Sequence, residues 1–211
     1  VENWAGDVGG HRYRLAMRWD HLFDDLAGQL EHELQSEEAD LHQEEERLRL
    51  GRLAIRDRLV ALRQAPGGAL ATVQCRLRSG ELERVRLVTV GRDWLAGDLT
   101  GGALARQLVM PFAAIEGLLL TPEQARCSLG PETERSELAA RLGVTFLLRD
   151  LCRRRVVVGV RTLTATVTGT IDRVGRDHFD LAEHDREVSR RVTEVRQVRL
   201  VPTDQVLLVT L

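Results

Sequence analysis

The chain contains no lysine; its 30 basic residues are all arginine. That excludes Schiff-base chemistry, a phosphate-loop lysine and a Ser–Lys dyad. Aromatic residues are scarce, at 4%. Few side chains are therefore available as stacking platforms for single-stranded nucleic acid. The three cysteines, Cys75, Cys127 and Cys152, include no C-x-x-C pair. An odd set without a disulfide framework fits a reducing compartment, and the expected location is cytoplasmic. No apolar run is long enough to cross a bilayer, and no membrane partner is expected. The longest apolar pieces, such as VVVGV (156–160), are strand-sized.

What is present is unevenly spread. Residues 1–46 hold 13 acidic and 3 basic side chains, a net of -10; residues 47–211 carry a net of +8. The chain is an acidic arm on a mildly basic body. A length of 211 residues with 43% hydrophobic content suits one large domain or two small ones.

Residues 1–16 lack periodicity and predict a disordered lead-in, with Met17 a candidate start. From Arg18 to Arg63 there is no proline, and apolar residues recur at helical spacing. The pattern thins at SEEADLHQEEER (36–47), which is nearly all polar. Either one helix runs through, or two meet near Gln35–Asp40. Residues 17–46 are read as an acidic helical arm. Trp19, Phe23, Leu26 and Leu30 form an apolar stripe on it, a candidate surface for self-association or for docking a protein partner.

APGGAL (65–70) breaks the helical pattern. Short strand patterns separated by turns follow at 72–78, 83–90, 94–99, 105–110 and 117–120. Thr121-Pro122-Glu123-Gln124 is a helix start with a capping Thr, Pro at the first helical position and Gln three after the cap. A second helix is expected over about 132–153. Strand patterns resume at 156–162, 164–175, 178–185, 194–202 and 206–211. Residues 47–120 are thus read as a helix plus a first small barrel, and 121–211 as helices plus a second.

A repeat underlies this division. VGRD at 90–93 recurs at 174–177, and the same offset sets Val85 over Gly169 and Leu87 over Ile171. QLVMPFAAI (107–115) aligns with VRLVPTDQV (198–206), with Pro111 over Pro202 and Ile115 over Val206. LGRLAIRDRL (50–59) aligns with LGVTFLLRDL (142–151), with Leu50-Gly51 over Leu142-Gly143. Gly-Arg-Asp reads as a turn between strands. Its Gly is expected to supply a free backbone angle, and its Asp to bond the turn backbone.

A helix followed by five short strands, with GTIDRVGRDHFDL (169–181) and then RLVPTDQVLLV (199–209), resembles the SH3-like barrels, in particular the Sm-like fold. Gly169-Thr170-Ile171 matches the Gly-x-apolar step of the second strand. Val201-Pro202 through Val206 matches the turn into the fifth. The resemblance implies an α+β fold: a long N-terminal helical arm, then two helix-plus-five-strand SH3-like barrels. Where RNA-binding Sm-like proteins carry Asp and Asn, this chain has Gly175 and Phe179, so the resemblance implies no RNA-binding residue here. The stretch MRWDHLFDDL (17–26) resembles the opening of a group of uncharacterised actinobacterial proteins, which implies no activity.

No catalytic, cofactor or metal motif stands out. His21, His32 and His42 are about 15 Å apart along a helix at 1.5 Å per residue, too far to share an ion. His178, Asp180, His184 and Asp185 cluster around one strand and its loop without a ligand spacing. Two arginine clusters remain: Arg149, Arg153, Arg154 and Arg155, and Arg186, Arg190, Arg191, Arg196 and Arg199. Paired guanidinium–phosphate hydrogen bonds make Arg149, Arg153, Arg154, Arg155, Arg190 and Arg191 candidate contacts to RNA or DNA. The leading expectation is a non-catalytic interaction or regulatory protein that needs no cofactor. A nucleic-acid-binding regulator is the alternative.

Overall fold

A computed structural model describes residues 10–66, 68–101, 106–130, 138–185 and 195–211, with the backbone alone for 10–22. The chain divides into two compact units, residues 1–52 and 53–211.

The described residues of the first unit form one helix, α1 (Gly10–Gly51). At 1.5 Å per residue its 42 residues extend about 63 Å. It begins inside the stretch expected to be a disordered lead-in. It also runs unbroken through Gln35–Asp40, where a break was one of the two expectations. No proline interrupts it there, and helix propensity does not need an apolar face. The break falls instead at Arg52–Ala54, just after Gly51.

Among its described residues the second unit combines three α-helices with one antiparallel sheet. Helix α2 (Ile55–Gln64) opens with Asp57 accepting the Ala54 N–H at 2.9 Å, and it buries Leu59, Val60 and Leu62. Five strands follow: β1 (Thr72–Leu77), β2 (Leu82–Val90), β3 (Trp94–Leu99), β4 (Arg106–Pro111) and β5 (Ile115–Leu119). Helix α3 (Pro122–Cys127) is capped reciprocally, with Gln124 N–H on the Thr121 hydroxyl and Thr121 N–H on the Gln124 amide oxygen. Its buried Gln124 also donates to the Leu70 and Thr72 carbonyls, which ties α3 to the start of β1. Helix α4 (Val144–Arg153) precedes β6 (Val157–Thr162), β7 (Thr166–Val174), β8 (His178–Glu183), β9 (Gln197–Pro202) and β10 (Val206–Thr210).

The strand order is β5-β1-β2-β3-β4-β10-β6-β7-β8-β9. The sheet is open, and the two five-strand sets are joined by hydrogen bonds between β4 and β10. Two separate closed barrels are therefore not what the strand pairing forms.

The two sets share one register. Val85↔Leu99, Leu87↔Gly97 and Val90↔Leu95 between β2 and β3 recur between β7 and β8 as Gly169↔Glu183, Ile171↔Leu181 and Val174↔Phe179. The register slips at the same place in both. Trp94↔Pro111 recurs as His178↔Pro202, and Gln74↔Leu119 as Gly159↔Thr210. After Pro111 and after Pro202 the chain makes the same 3-10 turn, over 112–114 and 203–205. The helices correspond too, but not in the alignment the sequence suggests. The residues just before the helices are Ala54 and Gly143, so Ile55 stands over Val144, and buried Leu59 and Leu62 over Leu148 and Leu151. Leu50-Gly51 belongs to the end of α1.

Each core borrows from the other set. Leu59 and Leu62 of α2 pack with the inner faces of β1–β4, and with Leu207 and Leu208 of β10. Val144, Leu148 and Leu151 of α4 pack with β6–β10, and with Trp94 and Val109 of β3 and β4. At about 1.5–3 kcal/mol for each fully buried side chain of this size, the exchange binds the two sets strongly.

Candidate functional site

The two VGRD turns explain why the motif is doubled. Gly91 and Gly175 adopt no positive φ; the positive-φ glycines described are Gly68, Gly80 and Gly101. The expected free backbone angle is therefore not the reason for glycine. Gly91 N–H donates to the Trp94 carbonyl, and Gly175 N–H to the His178 carbonyl, both at 2.8 Å. A Cβ on Gly91 would lie 2.2 Å from the Trp94 ring, and one on Gly175 2.7 Å from the His178 ring. Glycine is there because a ring lies over it.

The first turn is also a joint. Trp94 Nε1 donates to the Leu142 carbonyl at 2.8 Å, and Arg92 N–H donates to the same oxygen at 3.2 Å. The Asp93 carboxylate accepts the Val144 N–H at 2.8 Å, so it caps α4 from the other strand set. The Asp side chain thus reaches beyond its own turn. The Asp93 carbonyl accepts from Phe112 N–H, as that of Asp177 does from Thr203 N–H.

Six large apolar residues of α1 lie in solvent among the described residues. Leu26, Leu30, Leu34, Leu41 and Leu48 are all half exposed or more, and so is Phe23. Ala27, Leu34, Leu41 and Leu48 recur every seven residues, with Phe23 and Leu30 four before Ala27 and Leu34. This is the spacing of a coiled-coil seam. Glu37 and Glu44 occupy the remaining seam positions. Trp19 lies on the helix, but its side chain falls outside the described residues.

Acidic partners meet most of the arginines at the end of α4. Arg153 and Arg154 both pair with Asp150, at 3.1 and 2.7 Å, and Arg155 pairs with Asp172 at 2.9 Å. Arg149 donates to the Gly175 carbonyl at 3.4 Å. Arg196 pairs with Asp185, and Arg199 with Glu183. Burial raises the Glu183 pKa, but hydrogen bonds from Arg199 and Gln197 outweigh it and hold the carboxyl below its ordinary range. Arg186, Arg190 and Arg191 lie outside the described residues.

The remaining reactive types are built into structure. Cys75 is fully buried, and burial, with the Glu83 charge beside it, pushes its thiol up to about 12. Cys152 donates its S–H to the Asp172 carbonyl at 3.3 Å. His184 is buried, with Nε2 against the Thr170 hydroxyl at 2.8 Å and Nδ1 against the Asp185 carbonyl at 2.9 Å. His178, at the other end of β8, contacts Asp177 at 2.8 Å. Among the described residues no three His, Cys, Asp or Glu side chains converge to hold a metal ion. Among them, too, no helix is long and apolar enough to cross a membrane.

One surface is not evident from the sequence pattern. Val198 and Leu200 of β9 are about 60% exposed, although strand patterning alone would assign them to a sheet interior. The signal is positional: Leu200 corresponds to Val109, which is buried against α4.

No known family, curated protein or solved structure matches the chain.

Proposed function

We propose that this is a non-catalytic, cytoplasmic interaction protein. Its body consists of two copies of one helix-plus-five-strand unit of the SH3-like, Sm-like kind, and α1 is its association arm. The exposed heptad seam on α1 carries this reading. Each unit already has a helix of its own in its core, α2 in one and α4 in the other. The leucines of α1 are therefore available for a helix from elsewhere.

The seam fits a second α1 best, because its period is that of two helices packing side by side. Burying Leu30, Leu34, Leu41 and Leu48 contributes about 1.5–3 kcal/mol each at full burial. Against this stand Glu37 and Glu44 in the seam and the acidic surface around it. Like charges brought together oppose pairing, and salt screens them. Association through α1 should thus tighten as salt rises. Light scattering of the full chain at low and high salt tests this, beside a variant carrying Leu30→Asp and Leu34→Asp. The variant should lose the association. Association that weakens with salt would mean a basic partner surface instead, and equal behaviour of variant and parent would remove α1 from the reading.

Nucleic acid as the partner is disfavoured by the pairing of Arg153, Arg154 and Arg155 with Asp150 and Asp172. Those carboxylates would have to be displaced before phosphates could take their place.

A further inference from the structure

Arg76 of β1 holds the place in the first strand set that Arg161 of β6 holds in the second. Gln74↔Leu119 and Arg76↔Gly117 between β1 and β5 recur as Gly159↔Thr210 and Arg161↔Leu208 between β6 and β10. In the second set this guanidinium is occupied. Arg161 Nη1 donates to the Glu81 carboxylate at 3.1 Å and to that of Glu83 at 2.5 Å, two acids two residues apart at the start of β2. In the first set, no acidic side chain among the described residues pairs with Arg76. A second copy of this chain does not supply the same acids from its second set. The Leu77 N–H on the Glu81 carbonyl recurs as Thr162 N–H on the Ala165 carbonyl, so Glu81 and Glu83 correspond to Ala165 and Val167.

We propose that the outer face of β5, β1 and β2 docks an acidic segment of another protein: an extended stretch with two carboxylates two residues apart beside an apolar side chain. Glu81 and Glu83 on Arg161 are its template within the chain.

The charge on this face fits such a partner. Arg84 lies opposite Gln74, and Gln74 is two residues from Arg76, so both arginines point to the same side of the sheet. Arg84 is exposed and, like Arg76, has no acidic partner among the described residues. Arg86, the next on that side of β2, is held by Asp98. The shape fits as well. Gln74 and Arg84 form a ridge between two clefts of about 510 and 520 Å³. Leu70, Leu119 and Leu120 line the first, and Leu82 and Leu99 the second. Leu82 is 51% exposed and Leu119 39%, where the second set has Thr166 and Thr210. A carboxylate on the ridge thus meets a free guanidinium while its apolar neighbours enter the clefts. The acids lining the clefts are Glu83, already held by Arg161, and Glu123. A peptide suits the face better than a nucleic acid, because the side chains beside the arginines are leucines and neither cleft is lined by an aromatic ring on which a base stacks.

The test is fluorescence anisotropy of the full chain at low salt with a labelled peptide carrying Glu-Leu-Glu in an otherwise neutral, non-helical sequence. The same peptide with Gln-Leu-Gln is the comparison. The acidic peptide should bind, and its Gln counterpart should bind at least about tenfold more weakly. Arg76→Gln and Arg84→Gln should each weaken binding of the acidic peptide about fivefold. Arg84 is exposed, so Arg84→Gln keeps the test decisive if Arg76→Gln, at a half-buried position, disturbs the circular dichroism spectrum. Arg173→Gln, exposed on β7, should bind as the parent does. Failure of the acidic peptide to bind overturns the proposal, and so does equal affinity of the two peptides. An equal loss in Arg173→Gln overturns it too, because general charge would then carry the binding. So does a mixed-sequence RNA that binds more tightly than the peptide and loses affinity in Arg84→Gln, which would give the face to nucleic acid.

Discussion

Trp94 and Leu142 are joined by a hydrogen bond from the indole Nε1 to the carbonyl at 2.8 Å, across a sequence gap of 48 residues. Trp94 is 5% exposed and packs within the core of the second strand set. Trp94→Phe keeps most of the packing and leaves the Leu142 carbonyl with the Arg92 N–H as donor. The expected cost is about 0.5–1.5 kcal/mol, the net contribution of one such bond. Trp94→Ala should cost about 3–5 kcal/mol. Urea unfolding followed by circular dichroism measures both, and equal losses would show that the hydrogen bond rather than the ring holds the joint.

The two motif glycines should respond differently to the same change. In Gly91→Ala the new methyl meets a ring held by packing and by Leu142, so overpacking of about 1–3 kcal/mol is expected. In Gly175→Ala it meets the His178 ring, which is 41% exposed and able to swing away. That variant should lie within about 0.5 kcal/mol of the parent. Melting temperatures of the two variants decide it; a matching loss at both would point to the turn backbone instead.

At Gly97 and Gly169 the backbone of a neighbouring strand leaves no room for a side chain. A Cβ on either would lie 2.1 Å from a backbone carbonyl oxygen, that of Arg86 or of Ala182. Backbone cannot move aside as a side chain does. Gly97→Ala and Gly169→Ala should each destabilise by about 1–3 kcal/mol, read from the same unfolding curves.

Arg155 ends α4 in the left-handed region, at φ 54. Its N–H donates to the Cys152 carbonyl and that of Val156 to the Leu151 carbonyl, a helix ending in which glycine is the usual residue. Arg155→Gly should stabilise the protein by about 1 kcal/mol, since the Arg155 side chain of the pair it removes is 57% exposed, against 19% for Asp172. A fall in melting temperature would show that the ion pair outweighs the backbone strain.

Cys75 gives the body an alkaline limit. Its thiol ordinarily ionises near 9.0, but in the folded protein only at about 12. Between those values the unfolded chain releases a proton that the folded chain keeps, so stability is full below pH 9 and falls as pH rises toward 12. Cys75→Ala should flatten that alkaline decline in urea midpoints while lowering stability at neutral pH, because a buried side chain is shortened. An unchanged alkaline slope would assign the decline to other groups.

Local chemistry determined much of this protein directly. The turn at Ser79-Gly80, the cap at Thr121 and the two apolar-Pro steps act within a few residues, so they are legible in the sequence and the strands begin and end near them. The doubled VGRD and the two prolines likewise mark equivalent places in one shared register. The reason for the glycine was not legible, because it lies in a ring folded back over the turn. Nor was the role of Asp93, whose partner Val144 is 51 residues away. Above all, only the tertiary structure decided how the strand sets join. Any strand pattern leaves two hydrogen-bonding edges, and their pairing depends on which edges meet in space. Here β4 meets β10, so the two sets form one open sheet with β5 and β9 at its ends.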